Sequence, residues 1–247
     1  MKIIIVIPAR YESSRFPGKP LAKILKIPMI IRVCDLCSNA IDIENIYVAT
    51  DDSRIKHVVE NAGYNVVMTD KNHLTGTDRI AEVSRNIDSD IFINVQGDEP
   101  ILNPEDIQSV INEKIKYPNS VIKGYSRISQ DEDPDDINIP KVIFTKDKKM
   151  IYMSRQKLPG SKDEKNTPNN YYKAVCIYAF NKEELAAYAN FEGKGEYERF
   201  EDIEILRFMD LQIPVRLVET KTKSLAVDIP ADIKKVEDYI LKNSDIK

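Results

Sequence analysis

Three cations share one short segment of this chain. Arg10, Arg15 and Lys19 stand in Pro8-Ala9-Arg10-Tyr11-Glu12-Ser13-Ser14-Arg15-Phe16-Pro17-Gly18-Lys19-Pro20-Leu21. With small residues between them, they would meet a polyanion, most simply a triphosphate. A carboxylate follows further on, in Gln96-Gly97-Asp98. A hard cation such as Mg²⁺ takes one or two carboxylates together with phosphate oxygens, which makes Asp98 a candidate metal ligand. The plainer alternatives are a solvated basic loop and, for Asp98, a turn former or helix cap. Pro8 and Pro17-Gly18 favour a loop held in a defined shape.

Such residues need elements that bring them to one place. Ile3-Ile4-Ile5-Val6-Ile7 reads as a buried parallel strand that breaks at Pro8, and Asp90-Ile91-Phe92-Ile93-Asn94-Val95 as another that breaks at Gln96. In an open α/β sheet, ligands sit beyond the carboxyl ends of the strands, so both breaks would lie on one rim. Between them the pattern predicts a helix over 28–40, a strand over 45–51 and a helix over 52–62 stopped by Gly63. A strand over 65–69 follows, then the loop His73-Leu74-Thr75-Gly76-Thr77-Asp78-Arg79, turning into a helix capped by Thr77 or Asp78. This alternation predicts a doubly wound, mostly parallel sheet with helices on both faces.

From about Val121 the texture changes. Residues 131–136 are a short acidic loop expected to be solvated. Val142-Ile143-Phe144-Thr145 and Met150-Ile151-Tyr152-Met153-Ser154 flank Lys146-Asp147-Lys148-Lys149 as a β-hairpin. Residues 160–170 form a polar loop or flap. A strand over 172–180, helices over 182–189 and 202–211, a strand over 215–219 and a last helix ending near Leu241 complete the reading.

Composition narrows the class. With 247 residues, the chain suits one large α/β domain or one domain with an insertion. A net charge of −4 gives a nucleic-acid partner no electrostatic support. No apolar run reaches the roughly 20 residues of a membrane span, and the first residues enter a strand without a leader, so the expected location is cytoplasmic. Cys34 and Cys37 form C-x-x-C, but within an apolar helical pattern where i and i+3 share a face, so they read as core thiols.

The loop pattern P-A-R-x-x-S-[ST]-R-x-P-x-K-P-L resembles the signature of the CMP-sugar synthetases, and most closely that of the CMP-Kdo synthetase (3-deoxy-manno-octulosonate cytidylyltransferase) family. The resemblance runs from the first strand to Asp228. It implies a Rossmann-like nucleotidyltransferase fold with an inserted β-rich region over about 121–209 for acceptor binding and dimerisation, the nucleotide part comprising about 1–120 and 210–247. It implies CTP as donor, a 2-keto-3-deoxy sugar acid as acceptor, Mg²⁺ as cofactor and a homodimer. Carried over residue by residue, Ala9, Arg10, Arg15, Lys19, Thr75, Gly76, Arg79 and Gln96 would bind CTP. Gly76 would let backbone approach the ligand, and Arg79 would supply a forked donor. Asp228, in Ala226-Val227-Asp228-Ile229-Pro230-Ala231-Asp232, would be the second magnesium ligand beside Asp98. Arg155 would take the sugar-acid carboxylate, near Gln96, Tyr178 and Glu204.

The acceptor half departs from the pattern. Ala174 and Cys176 stand where the family strand has histidine and glycine, Ile205 replaces a glutamine, and Lys162 stands where a second arginine is usual. A site that hydrogen-bonds a hydroxyl discriminates strongly, so these changes bear on which acid is used: Kdo, its 8-amino analogue or another. The implied chemistry is attack of the acceptor's anomeric hydroxyl on the α-phosphate, with Arg10, Lys19, Asp98 and Asp228 in the catalytic set. It needs no protein nucleophile. Two other classes make different demands on the sequence. A sugar-phosphate nucleotidyltransferase would carry a G-x-G-T-R-type loop, which Pro8-Ala9-Arg10 is not, and a non-catalytic nucleotide-binding protein would be favoured by loss of Asp98 or Asp228.

Overall fold

The computed structural model describes residues 1–13, 15–221 and 225–244; Ser14 of the signature loop and Ser224 lie outside them. Strand β1 (Ile3–Ala9) is buried from Ile4 onward, as a central parallel strand covered on both faces must be. A tiny ribbon, β2 (Lys23–Ile24) and β3 (Ile27–Pro28), leads into α1 (Met29–Ser38). Then come β4 (Ile46–Thr50), α2 (Ser53–Asn61), β5 (Asn65–Met68), α3 (Gly76–Asn86), β6 (Ile91–Val95) and α4 (Pro104–Lys116). The second half comprises β7 (Val121–Arg127), β8 (Lys141–Phe144), β9 (Met150–Ser154), β10 (Tyr172–Phe180), α5 (Lys182–Asn190), α6 (Glu196–Glu201), α7 (Arg207–Asp210), β11 (Val215–Glu219) and α8 (Pro230–Ser244).

The main sheet runs β11-β7-β10-β6-β1-β4-β5, with β8 and β9 attached to the side of β10. Strands β6, β1, β4 and β5 are mutually parallel, and β11 is parallel to β7. Strand β10 is antiparallel to both of its main neighbours, β6 and β7. The mixed, mostly parallel sheet expected from the alternation is therefore present, and one reversed strand joins its two parallel blocks. Apolar side chains fill both faces: Ile5, Ile7, Ile93 and Ile177 on one, Ile4, Val6, Phe92, Tyr178 and Phe180 on the other. Cys34 and Cys37 are free thiols buried in the first of these layers.

Several local expectations need correction. Helix α3 is capped by Thr75, whose hydroxyl accepts from the Asp78 amide at 3.1 Å while Asp78 answers the Thr75 amide at 2.9 Å, so Asp78 closes a capping box and Thr77 lies inside the helix. The sequence pattern leaves out α4, although Asn103-Pro104 caps it in the usual manner, β7, where Lys123 and Gly124 interrupt the apolar run, and also α6 and the small β2–β3 ribbon. The single helix expected over 202–211 is broken. Asp202 adopts a left-handed conformation (φ 49°) that ends α6, and a 3-10 turn at Glu204–Leu206 precedes α7, so Glu201 and Glu204 do not share a helix face. The acidic loop is not all solvated: Glu132 bonds Lys173, and Asp135 pairs with Lys157 at 2.9 Å. Within the hairpin, Val142 and Met153 are buried in the protein's own core, while Ile151 is exposed.

Candidate active site

The rim above the carboxyl ends of β1 and β6 is built by close approach of backbone. The β1 strand ends at Ala9, in register with Thr50 of β4. The loop that follows folds back on itself: the Gly18 amide donates to the Tyr11 carbonyl at 2.8 Å, and Gly18 takes φ 71°, a conformation that favours glycine. That turn presents Lys19 at the start of a 3-10 turn, Lys19–Leu21. Beside it, a Cβ on Gly97 would lie 3.1 Å from the Pro8 carbonyl, and a Cβ on Gly76 3.1 Å from Gln96 Nε2. Both glycines keep the rim open where three chain segments meet.

The loop cations and the two aspartates converge there. Lys19 Nζ donates to Asp98 Oδ2 at 2.8 Å and to the Val227 carbonyl at 2.8 Å, and it stands 3.9 Å from Asp228 Oδ1. Arg15 Nη2 donates to the same Asp228 oxygen at 2.9 Å. The two aspartate loops are also tied through backbone, since the Val227 amide donates to the Asp98 carbonyl at 3.0 Å. Asp232 accepts from the Asp228 and Ile229 amides at 3.1 Å each, which fixes the loop at the start of α8. Although 130 residues separate Asp98 from Asp228 in sequence, one ammonium lies between them.

These groups line a cavity of about 220 Å³ together with Ala9, Arg10, Thr75, Gly76, Arg79 and Gln96. Every residue assigned to CTP by resemblance is in that wall. Arg10 is exposed at the mouth; it adds to the field, led by the Lys194 hydrogen bond, that holds the Asp202 carboxyl below its usual range. Arg79 is buried, and its guanidinium is already held by Thr69 and, at 3.0 Å, by Asp51, so its fork faces the wall behind the cavity. The sequence reading passed over His73, Ser13 and Met29, which also line the cavity. His73, paired with Glu82, lies in the same loop as Thr75 and Gly76, and that was its only signal.

The residues assigned to the acceptor are set apart from this cavity, except for Gln96. Gln96 Nε2 donates to Glu204 Oε1 at 3.2 Å, and the Thr77 amide donates to Glu204 Oε2 at 3.0 Å. Burial raises the Glu204 carboxyl above its ordinary value, against the pull of the Thr77 amide and Lys123. Tyr178 is buried beside it. Arg155 is committed elsewhere: its guanidinium donates to the carbonyls of Glu201, Ile137 and Asp202 at 2.6, 3.1 and 3.2 Å.

The donor set fits a hard divalent cation. Two aspartates already share one positive charge, and oxygen is the only ligand they offer. No cluster of three or more histidine, cysteine or acidic groups suited to a metal exists among the described residues, so the remaining ligands would come from phosphate or water.

Residues 4–224 match the cytidylyltransferase family. The chain is 38% identical to the 8-amino-3,8-dideoxy-manno-octulosonate cytidylyltransferase of Shewanella oneidensis, over 96% of this chain and 98% of that one. It is equally identical, 38%, to the 3-deoxy-manno-octulosonate cytidylyltransferase of Syntrophotalea carbinolica, over 97% and 99% of the two chains. Among solved structures it resembles CMP:2-keto-3-deoxy-manno-octonic acid synthetase complexed with CTP, with a TM-score of 0.90 and 34% identity over 98% of this chain and all of that one. The fold extends to 4-diphosphocytidyl-2C-methyl-D-erythritol synthase of Anaerococcus prevotii, with a TM-score of 0.64 at 17% identity over 97% and 99%. With its loop cations, paired aspartates and nucleotidyltransferase sheet, the chain belongs to the cytidylyltransferase family.

Proposed function

We propose that this enzyme transfers the cytidylyl group of CTP to a 2-keto-3-deoxy sugar acid of the Kdo type, releasing pyrophosphate. The observation that carries the reading is the convergence of Lys19, Arg15, Asp98 and Asp228 in one cavity. In the reaction the anomeric hydroxyl oxygen bonds to the α-phosphorus and loses its proton, while the bond to the β-phosphate bridging oxygen breaks and pyrophosphate leaves with the electron pair. Arg10, Arg15 and Lys19 screen the triphosphate and neutralise charge on the departing pyrophosphate. The Thr75-Gly76 turn and Gln96 hold the nucleotide, with Arg79 stiffening the wall behind them through Asp51. Asp98 and Asp228 would hold Mg²⁺, which when bound adds charge neutralisation and acidifies a coordinated hydroxyl. Gln96, Tyr178, Glu204 and Arg155 form the acceptor side, with Arg155 exchanging carbonyl partners for the sugar-acid carboxylate when the acceptor binds.

Kdo is the first acceptor we assign and its 8-amino analogue the second. Relatives named for the two acids are equally similar to this chain, and Ala174, Cys176 and Ile205 change the groups around the sugar. The product would serve lipopolysaccharide or capsule synthesis in the cytoplasm. No helix among the described residues is long and apolar enough to cross a membrane. The working form is a homodimer, with the β8–β9 hairpin and α6 supplying the surface: Ile151, Tyr197 and Phe200 are exposed there, and the Tyr152 and Tyr197 rings meet edge to face at 6.0 Å.

Pyrophosphate release from CTP and Mg²⁺ with Kdo, 8-amino-Kdo and a nonulosonic acid tests the reading. Turnover with either octulosonic acid supports it, and the preferred one fixes the acceptor. Turnover with the nonulosonic acid alone, or with none of the three, overturns the acceptor assignment.

A further inference from the structure

One lysine is buried where a sheet normally holds an apolar side chain. Lys123, on β7, is 1% exposed. Its ammonium has three donors but, among the described residues, makes one hydrogen bond, a long one of 3.4 Å to the Val175 carbonyl. It lies over the ring of Tyr178, 3.8 Å from the centroid, and Tyr178 is its register partner on β10. The next strand continues the row: Tyr178 pairs with Asn94 of β6, whose side-chain oxygen and nitrogen are buried and make no hydrogen bond among the described residues. Lys123, Tyr178 and Asn94 thus form a buried polar row across three neighbouring strands. Buried polar groups are nearly always paired, so a row this poorly satisfied calls for a functional explanation.

The surroundings of that row point to the acceptor. The charged and titratable groups facing the Lys123 ammonium are Cys176 of β10, Glu204 of the 3-10 turn before α7 and Glu99 of the loop after β6. Burial lowers the ammonium's pKa, and these three groups oppose that shift. Glu204 in turn is bonded to Gln96. Ala174 and Cys176 pack in the same apolar layer as Tyr178 and Ile205, so three of the positions that depart from the family pattern share a layer with the row. A small residue at 174 and an apolar one at 205 remove two polar side chains, and Lys123 adds a donor to the same layer from the neighbouring strand.

We propose that Lys123 is an acceptor-side positioning residue: its buried ammonium, set against the Tyr178 ring and facing the Glu204 carboxylate, holds these two groups in the arrangement that receives the sugar acid. This rests on the assignment of Gln96, Tyr178 and Glu204 to the acceptor side. The ammonium acts through them and favours the charged form of Glu204, against the burial that opposes it, as a hydrogen-bond acceptor for a sugar hydroxyl. A purely structural lysine would influence stability without distinguishing between the two substrates.

The test is steady-state kinetics of Lys123→Met, which keeps the stem and removes the charge, alongside Lys123→Arg, with thermal melting of both. The expected result is an acceptor KM raised about tenfold or more, from weakening one charged interaction. The CTP KM should stay within about twofold, and Lys123→Arg should recover part of the loss. An unchanged acceptor KM, or equal rises in both KM values, overturns the proposal. Should Lys123→Met not fold, ¹⁵N-lysine NMR of the wild-type enzyme with CTP replaces it. The buried ammonium signal, assigned by its absence in Lys123→Arg, is expected to shift on adding Kdo, and a signal that does not move overturns the proposal. Wild-type enzyme inactive with every octulosonic acid would instead remove the functional reading on which the proposal rests.

Discussion

Lys19 does at one position what no isolated surface lysine could. Its ammonium is held between Asp98 and the Asp228 loop, with only 16% of its side chain exposed. Removing either carboxylate leaves that charge with one partner fewer and removes half of the proposed metal-binding pair. Asp98→Asn and Asp228→Asn are therefore expected to lower kcat by about 100-fold or more, the scale on which loss of transition-state electrostatics is felt. The melting temperature of Asp228→Asn should hardly change, because the Arg15–Asp228 pair is largely exposed and such pairs contribute about 1 kcal/mol or less, whereas Asp98→Asn, which weakens the more enclosed bond to Lys19, should lower it modestly. Pyrophosphate release and thermal melting check both halves, and normal turnover in either variant removes the assignment. Arg155→Ala carries a different signature. It should raise the acceptor KM while sparing the CTP KM, and also lower stability, because the guanidinium ties Ile137 to Glu201 and Asp202 through three carbonyls. An unchanged acceptor KM excludes it from the acceptor side.

At the scale of elements, helix α3 joins the nucleotide wall to the acceptor side. Thr75 caps the helix, and its hydroxyl also lies 3.1 Å from the Tyr188 hydroxyl of α5. Two residues on, the Thr77 amide donates to Glu204. Thr75→Ala is expected to destabilise the protein by about 1 kcal/mol through loss of the cap, and to raise the CTP KM as the turn at Gly76 loosens. Chemical denaturation and kinetics measure the two effects, and a stability loss with no change in CTP KM would confine Thr75 to capping. The same helix helps hold the buried Arg207: it bonds Glu198 twice at 2.7 Å and Asp78 at 2.8 Å, which offsets the desolvation of its guanidinium and locks α7 onto α6 and α3.

At the scale of the molecule, the two parallel blocks of the sheet must stay joined across β10. A buried ion pair helps fix that half: Lys114 of α4 meets Glu184 of α5 at 2.6 Å, with both side chains almost fully enclosed, and it also bonds the carbonyls of Pro118 and Ser120. Lys114→Met leaves Glu184 unpaired and is expected to cost about 3–5 kcal/mol, read as a large drop in melting temperature, with KM values near normal in the folded fraction. A drop of only a degree or two would mean that the Glu184 carboxyl is neutral when buried. The proposed dimer is tested at the same scale. Phe200→Glu places a charge on the most exposed aromatic of α6, 68% exposed, and is expected to turn a dimer into a monomer by light scattering. A dimer unaffected by the change would move the interface elsewhere.

Much of this was legible in the sequence because it is local. Short apolar runs before Pro8 and Gln96 gave β1 and β6, although β1 continues through Pro8 to Ala9, and the spacing of helical and extended patterns gave the parallel block through β5. The signature loop pointed to a triphosphate through its charge and proline-glycine punctuation alone, and Asp98 followed from its place after a buried strand. Other features depended on long-range contact. That Asp98 and Asp228 share one ammonium is decided by the docking of the loop before α8 against the β6 rim, through a backbone bond from Val227 to Asp98. That Arg79 turns to Asp51 and Arg155 to three carbonyls depends on which partners the fold brings near, and an arginine in sequence does not name its partner. The break at Asp202 needed a left-handed residue that no glycine announced. The burial of Lys123 ran against the ordinary preference of lysine for water, and only the pairing of β7 with β10 sets its charge against Tyr178 and Glu204. Sequence thus determined most of the strands of the parallel block and the charge of the loop, because each follows from neighbouring residues. Tertiary structure decided which charges meet, because Coulomb and hydrogen-bond partners are chosen by distance in space.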